Sequence, residues 1–300
     1  MNVAVVGLGF MGATHLKAWG SVDGVRVAAV VSSDPRKLAG DLTGVGGNLG
    51  MTTGHFEFGE ARRYTRLEDA LRDPLVDAVD LCLPSNLHAG SAIAAFRHGK
   101  DVFVEKPLAL TAADAQHVVD AAEAARRVLM TGHVLRFIPA YQRLRRELRD
   151  AGRILSATFS RNCATPAWTD VNASGGPVLD LPIHDIDFCI SLWGMPQVVT
   201  AQQLVYEGMP PVTIEGGWHD DPLYPFSMAY RVVTERGMIE WNSATATDPD
   251  HGEDPFVAEL RAFTEHIRNG GPHPCPPQES VEAVQVAEQM MEARRCSTLA

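Results

Sequence analysis

Through the first 132 residues, short runs of β-branched and aliphatic residues alternate with segments whose apolar positions recur every three to four residues. Val3 to Val6, Val25 to Val31, Ala78 to Leu83, Val102 to Glu105 and Val128 to Thr131 read as strands. Between them, Ser91 to Phe96 and Thr111 to Ala125 carry helical periodicity, the second opened by Thr111 with Asp114 at capping-box spacing. Alternation of this kind predicts βαβ units and a parallel sheet. Beyond about Tyr141 the pattern changes. Ile154 to Ser160, Val198 to Tyr206, Phe226 to Val233 and Met238 to Trp241 are longer strand-like runs separated by turns such as Glu235-Arg236-Gly237, which predicts a mainly antiparallel sheet. Phe256 to Arg268 and Ser280 to Arg295 read as two closing helices. The break in pattern divides the chain into residues 1–132 and 133–300.

Gly7-Leu8-Gly9-Phe10-Met11-Gly12 directly follows the first strand and opens an apolar-periodic helix through Leu16 and Trp19. In that context the glycines have distinct tasks. Gly7 permits a tight turn, Gly9 lets a pyrophosphate approach the backbone, and Gly12 lets the helix pack on the strand, while the helix N-terminus offers amide donors and a positive dipole. The first domain is therefore expected to be a doubly wound Rossmann sheet binding a nicotinamide dinucleotide, with Gly7, Gly9, Phe10, Met11 and Gly12 at the phosphates. About 20 residues further on, where NAD-selective sites carry an acid for the ribose, stands Ser32. Ser32 and Ser33 could donate to a 2′-phosphate and Arg36 could pair with it, so NADP is the expected cofactor, with NAD possible through Asp34. Gly44, Gly46, Gly47, Gly50 and Gly54 interrupt what should be a crossover helix. The segment is either a surface insertion or an ordered loop beside the cofactor.

Candidate chemistry sits where an open parallel sheet places its functional loops, at strand C-termini. One such loop is Pro84-Ser85-Asn86-Leu87-His88 and another is Glu105-Lys106-Pro107, the latter delivering a lysine from a buried strand into the crevice, where desolvation can tune its pKa. A third cluster runs from Gly175-Gly176 through Asp180, Pro182, His184 and Asp187. Pro182 suits the first turn of a helix, placing Asp180 at its mouth and His184 one turn further in. His184 and Asp187 could also be two metal ligands, but no third His or Cys is spaced to complete a site, and no metal is expected.

With 26 Lys and Arg against 37 Asp and Glu, the net charge of −11 repels nucleic acid and anionic lipid surfaces. The basic stretch Arg143, Arg145, Arg146 and Arg149 alternates with Leu144 and Leu148 as a solvated helix face does. The five cysteines contain no CxxC pair and suggest neither a disulfide framework nor a zinc site. No basic leader precedes the first apolar run, and the uncharged stretch Phe188 to Tyr206 is broken by Gly194, Pro196 and several glutamines. A cytoplasmic protein without a membrane span is expected.

Taken together, the 7–12 fingerprint, the Pro84/His88 loop, Glu105-Lys106-Pro107, Gly132-His133 with Arg136-Phe137, and the glycine-rich Asp180/His184/Asp187 segment resemble the Gfo/Idh/MocA oxidoreductases, the group of glucose-fructose oxidoreductase and inositol dehydrogenase. The resemblance covers nearly the whole chain. It implies a second domain of α+β type with a large, mainly antiparallel open sheet that commonly forms a dimer or tetramer interface, and an active site between the domains. It implies Lys106, Asp180 and His184 as the catalytic group, a cis Lys106-Pro107 bond, and sugars, polyols or related compounds as substrates. Pro84, Asn86, His88, Glu105 and Lys106 would line the cofactor; Lys106, Arg136, Trp168, Asp180 and His184 would line the substrate. Pro182 in place of the usual glycine, the short chain and the 44–54 insertion depart from the pattern. An NAD(P)-dependent dehydrogenase or reductase is the first expectation. A redox-neutral NAD-dependent glycoside hydrolase and a non-catalytic NADP-binding sensor are the alternatives.

Overall fold

The computed structural model describes residues 1–47, 54–166, 170–246 and 252–298. Its chain forms two compact units, one comprising 1–109, 113–132 and 256–278, the other 110–112, 133–255 and 279–300. The first unit runs β1 (Asn2–Val6), α1 (Phe10–Trp19), β2 (Arg26–Val31), α2 (Pro35–Leu38), β3 (Arg62–Tyr64), α3 (Leu67–Leu71), β4 (Ala78–Leu81), α4 (His88–Arg97), β5 (Asp101–Glu105), α5 (Ala112–Ala125) and β6 (Leu129–Gly132). Its strands form one parallel sheet in the order β3-β2-β1-β4-β5-β6. Burial on both faces explains the near-continuous apolar runs: Val3, Val5, Val30, Val79, Val102 and Phe103 are wholly buried. Polar side chains are buried here too, above all Asp80, a carboxylate inside β4 with no solvent exposure.

The second unit contains α6 (Pro139–Leu148), β7 (Ile154–Ala164), the short helices α7 (Val171–Ser174) and α8 (Pro177–Asp180), α9 (Pro182–Trp193), β8 (Val198–Val199), β9 (Gln203–Val205), β10 (Val212–His219), β11 (Ser227–Thr234) and β12 (Gly237–Asn242). The sheet order is β12-β11-β7-β10-β9-β8. All its pairings are antiparallel except β7 with β10, whose crossover is supplied by the helical segment α7 to α9. An aromatic cluster under this sheet packs Tyr141 edge-on to Phe188 at 5.0 Å and to Tyr230 at 5.3 Å. α10 (Pro255–Asn269) returns to the first unit, where Phe263 meets Phe103 at 5.7 Å, and α11 (Pro277–Thr298) ends the described chain.

Several elements differ from the sequence pattern. The run Val198 to Tyr206 is not one strand but the hairpin β8-β9, and the edge strand β3 and the central strand β10 were not expected. β10 evades detection because Glu215, Gly216, Gly217 and His219 spoil its alternation. α10 follows the second unit in sequence yet packs in the first. Among the described residues no helix is long and apolar enough to cross a membrane, and the cysteines are free thiols.

Gly216 has a specific steric task in this sheet. Its φ is +147°, and a Cβ there would lie 2.1 Å from the Arg161 carbonyl oxygen of β7. Gly216→Ala is expected to lower stability by at least about 2 kcal/mol, because backbone must move to relieve the clash; a urea unfolding midpoint equal to that of the parent protein would contradict it.

Candidate active site

The glycine loop joins β1 to α1 without slack. Gly7 adopts φ +91°, and a Cβ on Gly12 would stand 1.8 Å from the Gly7 carbonyl oxygen, so the helix sits on the turn only because position 12 has no side chain. Around Gly9 a Cβ would meet nothing within 4 Å. α1 also begins without a side-chain cap or an acid in its first turn. Open space over an uncapped helix N-terminus is what a pyrophosphate requires, and the residues present fit a dinucleotide. Phe10 and Met11 are half-buried on the first turn. Gly47 lies against the Phe10 ring, a Cβ there meeting it at 2.5 Å. Of the glycine-rich insertion, residues 44–47 and 54 are described: its flanks pair through Asp41 and His55, and its start is ordered against the glycine loop. Residues 48–53 lie outside the described residues.

At the end of β2, Ser32 is half-buried and Ser33 exposed. The Ser32 hydroxyl accepts the Asp34 amide at 3.2 Å, and the Asp34 carboxylate caps α2 by accepting the Arg36 amide at 2.9 Å. That backbone hydrogen bond, assisted by the Arg36 guanidinium, holds the Asp34 carboxyl below the usual carboxylate range. Arg36 itself is open to solvent.

After β4, Pro84 and Asn86 are exposed around a single 3-10 turn. His88 is not: its ring is buried, with Nδ1 2.7 Å from the Pro107 carbonyl oxygen and Nε2 2.8 Å from that of Leu83. Burial lowers its pKa and outweighs the two carbonyls, which favour the charged ring. His88 therefore staples the β4 loop to the loop after β5, and both ring nitrogens already face protein acceptors. Lys106 leaves β5 half-buried and is followed by a cis bond to Pro107. Glu105 turns inward instead, with Oε1 3.0 Å from His15 Nε2 and Oε2 accepting the Lys106 amide at 3.2 Å. Its carboxylate is committed to the protein, leaving only backbone for a cofactor.

In the second unit, α8 ends at Asp180 and α9 starts with Pro182 at its first turn, as the proline predicts. His184 is buried in that turn and its amide donates to the Leu181 carbonyl. Asp180 is half-buried, and its Oδ2 accepts the Trp218 indole N–H from β10 at 2.9 Å. Further along β10, His219 stacks on Tyr224 at 3.7 Å and meets Asn162 at 3.1 Å. Asp187 is taken up by Arg136, which donates to both carboxylate oxygens at 2.9 and 2.5 Å and pairs with Glu279 at 2.7 Å. His133 Nε2 lies 3.4 Å from the same carboxylate. Arg136 is nearly buried and bound inside its own unit, so its geometry is that of a structural ion pair. Trp168 lies outside the described residues.

Sequence reasoning missed Trp218, which sits in the unrecognised β10, and His15, which reads as one more position on a buried helix. The available signal for His15 was Asp80, since a carboxylate inside a core strand demands a partner. Two groups of potential metal ligands occur among the described residues, His15/Asp80/Cys82 and His15/Glu105/Glu259, and both depend on that one imidazole.

Comparison with known proteins matches residues 1–133 to the Gfo/Idh/MocA family model, described as an oxidoreductase family with an NAD-binding Rossmann fold. A 4-carboxy-2-hydroxymuconate-6-semialdehyde dehydrogenase of Sphingobium is 34% identical over 142 residues, covering 47% of this chain and 41% of the relative. A myo-inositol 2-dehydrogenase of Thermotoga maritima is 30% identical over 198 residues, 65% of this chain and 55% of the relative. The chain thus spans about half the length of these curated relatives. Among solved structures, GenD2 from gentamicin A biosynthesis, in complex with NAD, superposes with a TM-score of 0.81 at 22% identity over 98% of this chain and 94% of its own, a likeness of fold.

Replacing Arg136 by Met strips the buried Asp187 of its bidentate partner. We expect a loss of about 3 kcal/mol or more in denaturant unfolding; a stability within 1 kcal/mol of the parent would restore a substrate-facing role for the arginine.

Proposed function

Since the chain belongs to the Gfo/Idh/MocA oxidoreductase family by way of its NAD-binding Rossmann domain, we propose that it is a nicotinamide-dependent dehydrogenase or reductase acting on a hydroxyl or carbonyl carbon of a sugar, polyol or related compound. The observation that carries this reading is the lysine delivered by β5 at the C-terminal edge of a sheet whose glycine loop is uncapped and open. When bound, the dinucleotide supplies the hydride donor or acceptor.

The chain's own residues manage the proton. His184 acts as general base toward the substrate hydroxyl, and Lys106 acts as the hydrogen-bond donor that stabilises negative charge as it develops. Asp180 orients substrate or imidazole, and the Trp218 indole fixes the carboxylate's own direction. Arg136 is better placed as scaffold than as a substrate ligand, for the reason given by its pairing with Asp187.

We further propose a preference for NADP. No acid stands at Ser32, the Asp34 carboxylate is occupied as a helix cap, and the exposed Arg36 supplies a charge suited to a 2′-phosphate. A dimer or tetramer built on the second sheet is part of the same reading.

Absorbance of the reduced nicotinamide tests the activity against a panel of polyols, aldoses, sugar acids and carbonyls with both cofactors. Lys106→Ala and His184→Ala are each expected to lower kcat by about 10²- to 10⁴-fold, the His184 variant with cofactor affinity unchanged. Full turnover in either variant would remove that residue from the mechanism. Trp218→Phe, which deletes one charge-assisted hydrogen bond to Asp180, should lower kcat by roughly tenfold. Tighter binding of NADH than of NADPH would overturn the cofactor preference.

A further inference from the structure

Beneath the glycine loop lies a cluster of ionisable groups that the proposed reaction does not use. His15 is on α1, one turn beyond Gly12, and wholly buried. Its Nδ1 is 2.9 Å from Oδ2 and 3.1 Å from Oδ1 of Asp80 on β4, and 3.3 Å from the Cys82 sulfur just beyond that strand. Trp19, one turn further along α1, donates its indole N–H to Asp80 Oδ2 at 2.8 Å. On the other side, His15 Nε2 stands 3.0 Å from Glu105 Oε1, an ion-pair distance without the alignment of a hydrogen bond, so the imidazole holds this carboxylate by charge. Glu259 of α10 brings a third buried carboxylate within 4.8 Å of the ligating atoms of His15 and Glu105. Phe103 and Phe256 close the ring's remaining surroundings at 5.6 and 6.0 Å.

The position of Glu105 is what gives the cluster a functional direction. Its two carboxylate oxygens have separate tasks, Oε1 facing the imidazole and Oε2 accepting the backbone N–H of Lys106. β6 makes room for this carboxylate with Gly132, where a Cβ would stand 3.1 Å from Oε1. One imidazole therefore joins α1, β4 and the outgoing end of β5. We propose that His15 is a positioning residue for Lys106: gripped by Asp80 through one ring nitrogen, it fixes the Glu105 carboxylate through the other, and that carboxylate fixes the backbone from which the lysine projects. The inference rests on the reading of Lys106 as a catalytic residue.

The surroundings also set the ring's charge. Burial alone would lower the pKa of His15, but the Asp80 charge and hydrogen bonds to Asp80 and Cys82 outweigh it and hold the ring well above the ordinary imidazole range. The groups facing it are Asp80, Cys82, Glu105 and Glu259, and of these the Cys82 thiol is pushed up by burial and stays neutral. A cation beside these buried carboxyl groups offsets part of their charge. Because the folded-state pKa is raised, the stabilisation by His15 is fully present below about pH 6.5, the unfolded imidazole value, and is lost as pH rises through the folded value.

His15→Gln and the milder Glu105→Gln test the proposal in the full-length protein. Both are expected to lower kcat by about 10- to 100-fold, with substrate KM and cofactor affinity changing less than about threefold. Both should also change the rate of Lys106 acetylation by acetic anhydride at fixed pH, read by mass spectrometry with the exposed Lys17 and the half-buried Lys37 as internal controls that a general loss of structure would move as well. The stability gap between wild type and His15→Gln should be widest below pH 6.5 and narrow above it. Long-range ¹H–¹⁵N spectra of the wild type should find both His15 nitrogens protonated at about pH 6.5, where a free imidazole is half titrated. If His15→Gln fails to fold, Glu105→Gln and the wild-type spectra decide. A folded variant with kcat within about twofold of wild type and an unchanged rate of Lys106 labelling overturns the proposal, as does a His15 that is neutral at about pH 6.5. If Lys106→Ala keeps full turnover, the catalytic reading of the lysine falls by itself, and the labelling rate still reports whether His15 holds it.

Discussion

α1 approaches the turn after β1 so closely that a single methyl group at Gly12 would collide with the Gly7 carbonyl. Most of the first unit's chemistry depends on that contact. It sets the helix N-terminus directly over the turn, so that first-turn amides face outward where an anion can reach them. It also sets the phase of the helix, which turns His15 and Trp19 inward onto Asp80. A helix standing further from the strand would separate the imidazole from two carboxylates at once, leaving buried charge without compensation.

The second unit solves a related problem with arginines. α9 carries Asp185 and Asp187 fully buried two positions apart, on either side of a helix otherwise packed with Ile183, Ile186, Phe188 and Ile190. Asp185 meets Arg161 of β7 at 3.4 Å and the Tyr141 hydroxyl at 3.3 Å, and burial still raises its pKa. Asp187 takes the bidentate pair from Arg136. The two pairs anchor α9 to β7 on one side and to the 134–136 turn on the other. His184, one residue before Asp185, thereby inherits a fixed place on the helix.

Legibility in the sequence followed the range of the interactions. Strands buried on both faces announced themselves as apolar runs, and the 7–12 loop, Lys106-Pro107 and the Asp180-Pro182-His184 turn were readable because each motif is complete within a few residues. β10 was not readable, since its two glycines, the first required by the close approach of the Arg161 backbone and the second sitting at φ +156°, erase the alternation that marks a strand. The partnership of His15 with Asp80 spans 65 positions, and that of Arg136 with Asp187 spans 51. No local pattern encodes such a pairing, so the match of Arg136 to Asp187 is visible only in the fold. The Trp218 contact with Asp180 was hidden for both reasons together.

The return of α10 has a consequence for how this protein can be divided. Phe263 covers Phe103, Phe256 covers the His15 ring, and Glu259 is buried beside both, so residues 256–278 supply part of the interior of the dinucleotide-binding unit. The contiguous stretch 1–133 that the family model matches is therefore smaller than the object that folds. Cut at that boundary, the fragment would expose aromatic surface and a buried ionic cluster to water. The binding unit is finished by sequence that follows the second unit, so any piece that evolution or an engineer moves intact has to carry residues 256–278 with it.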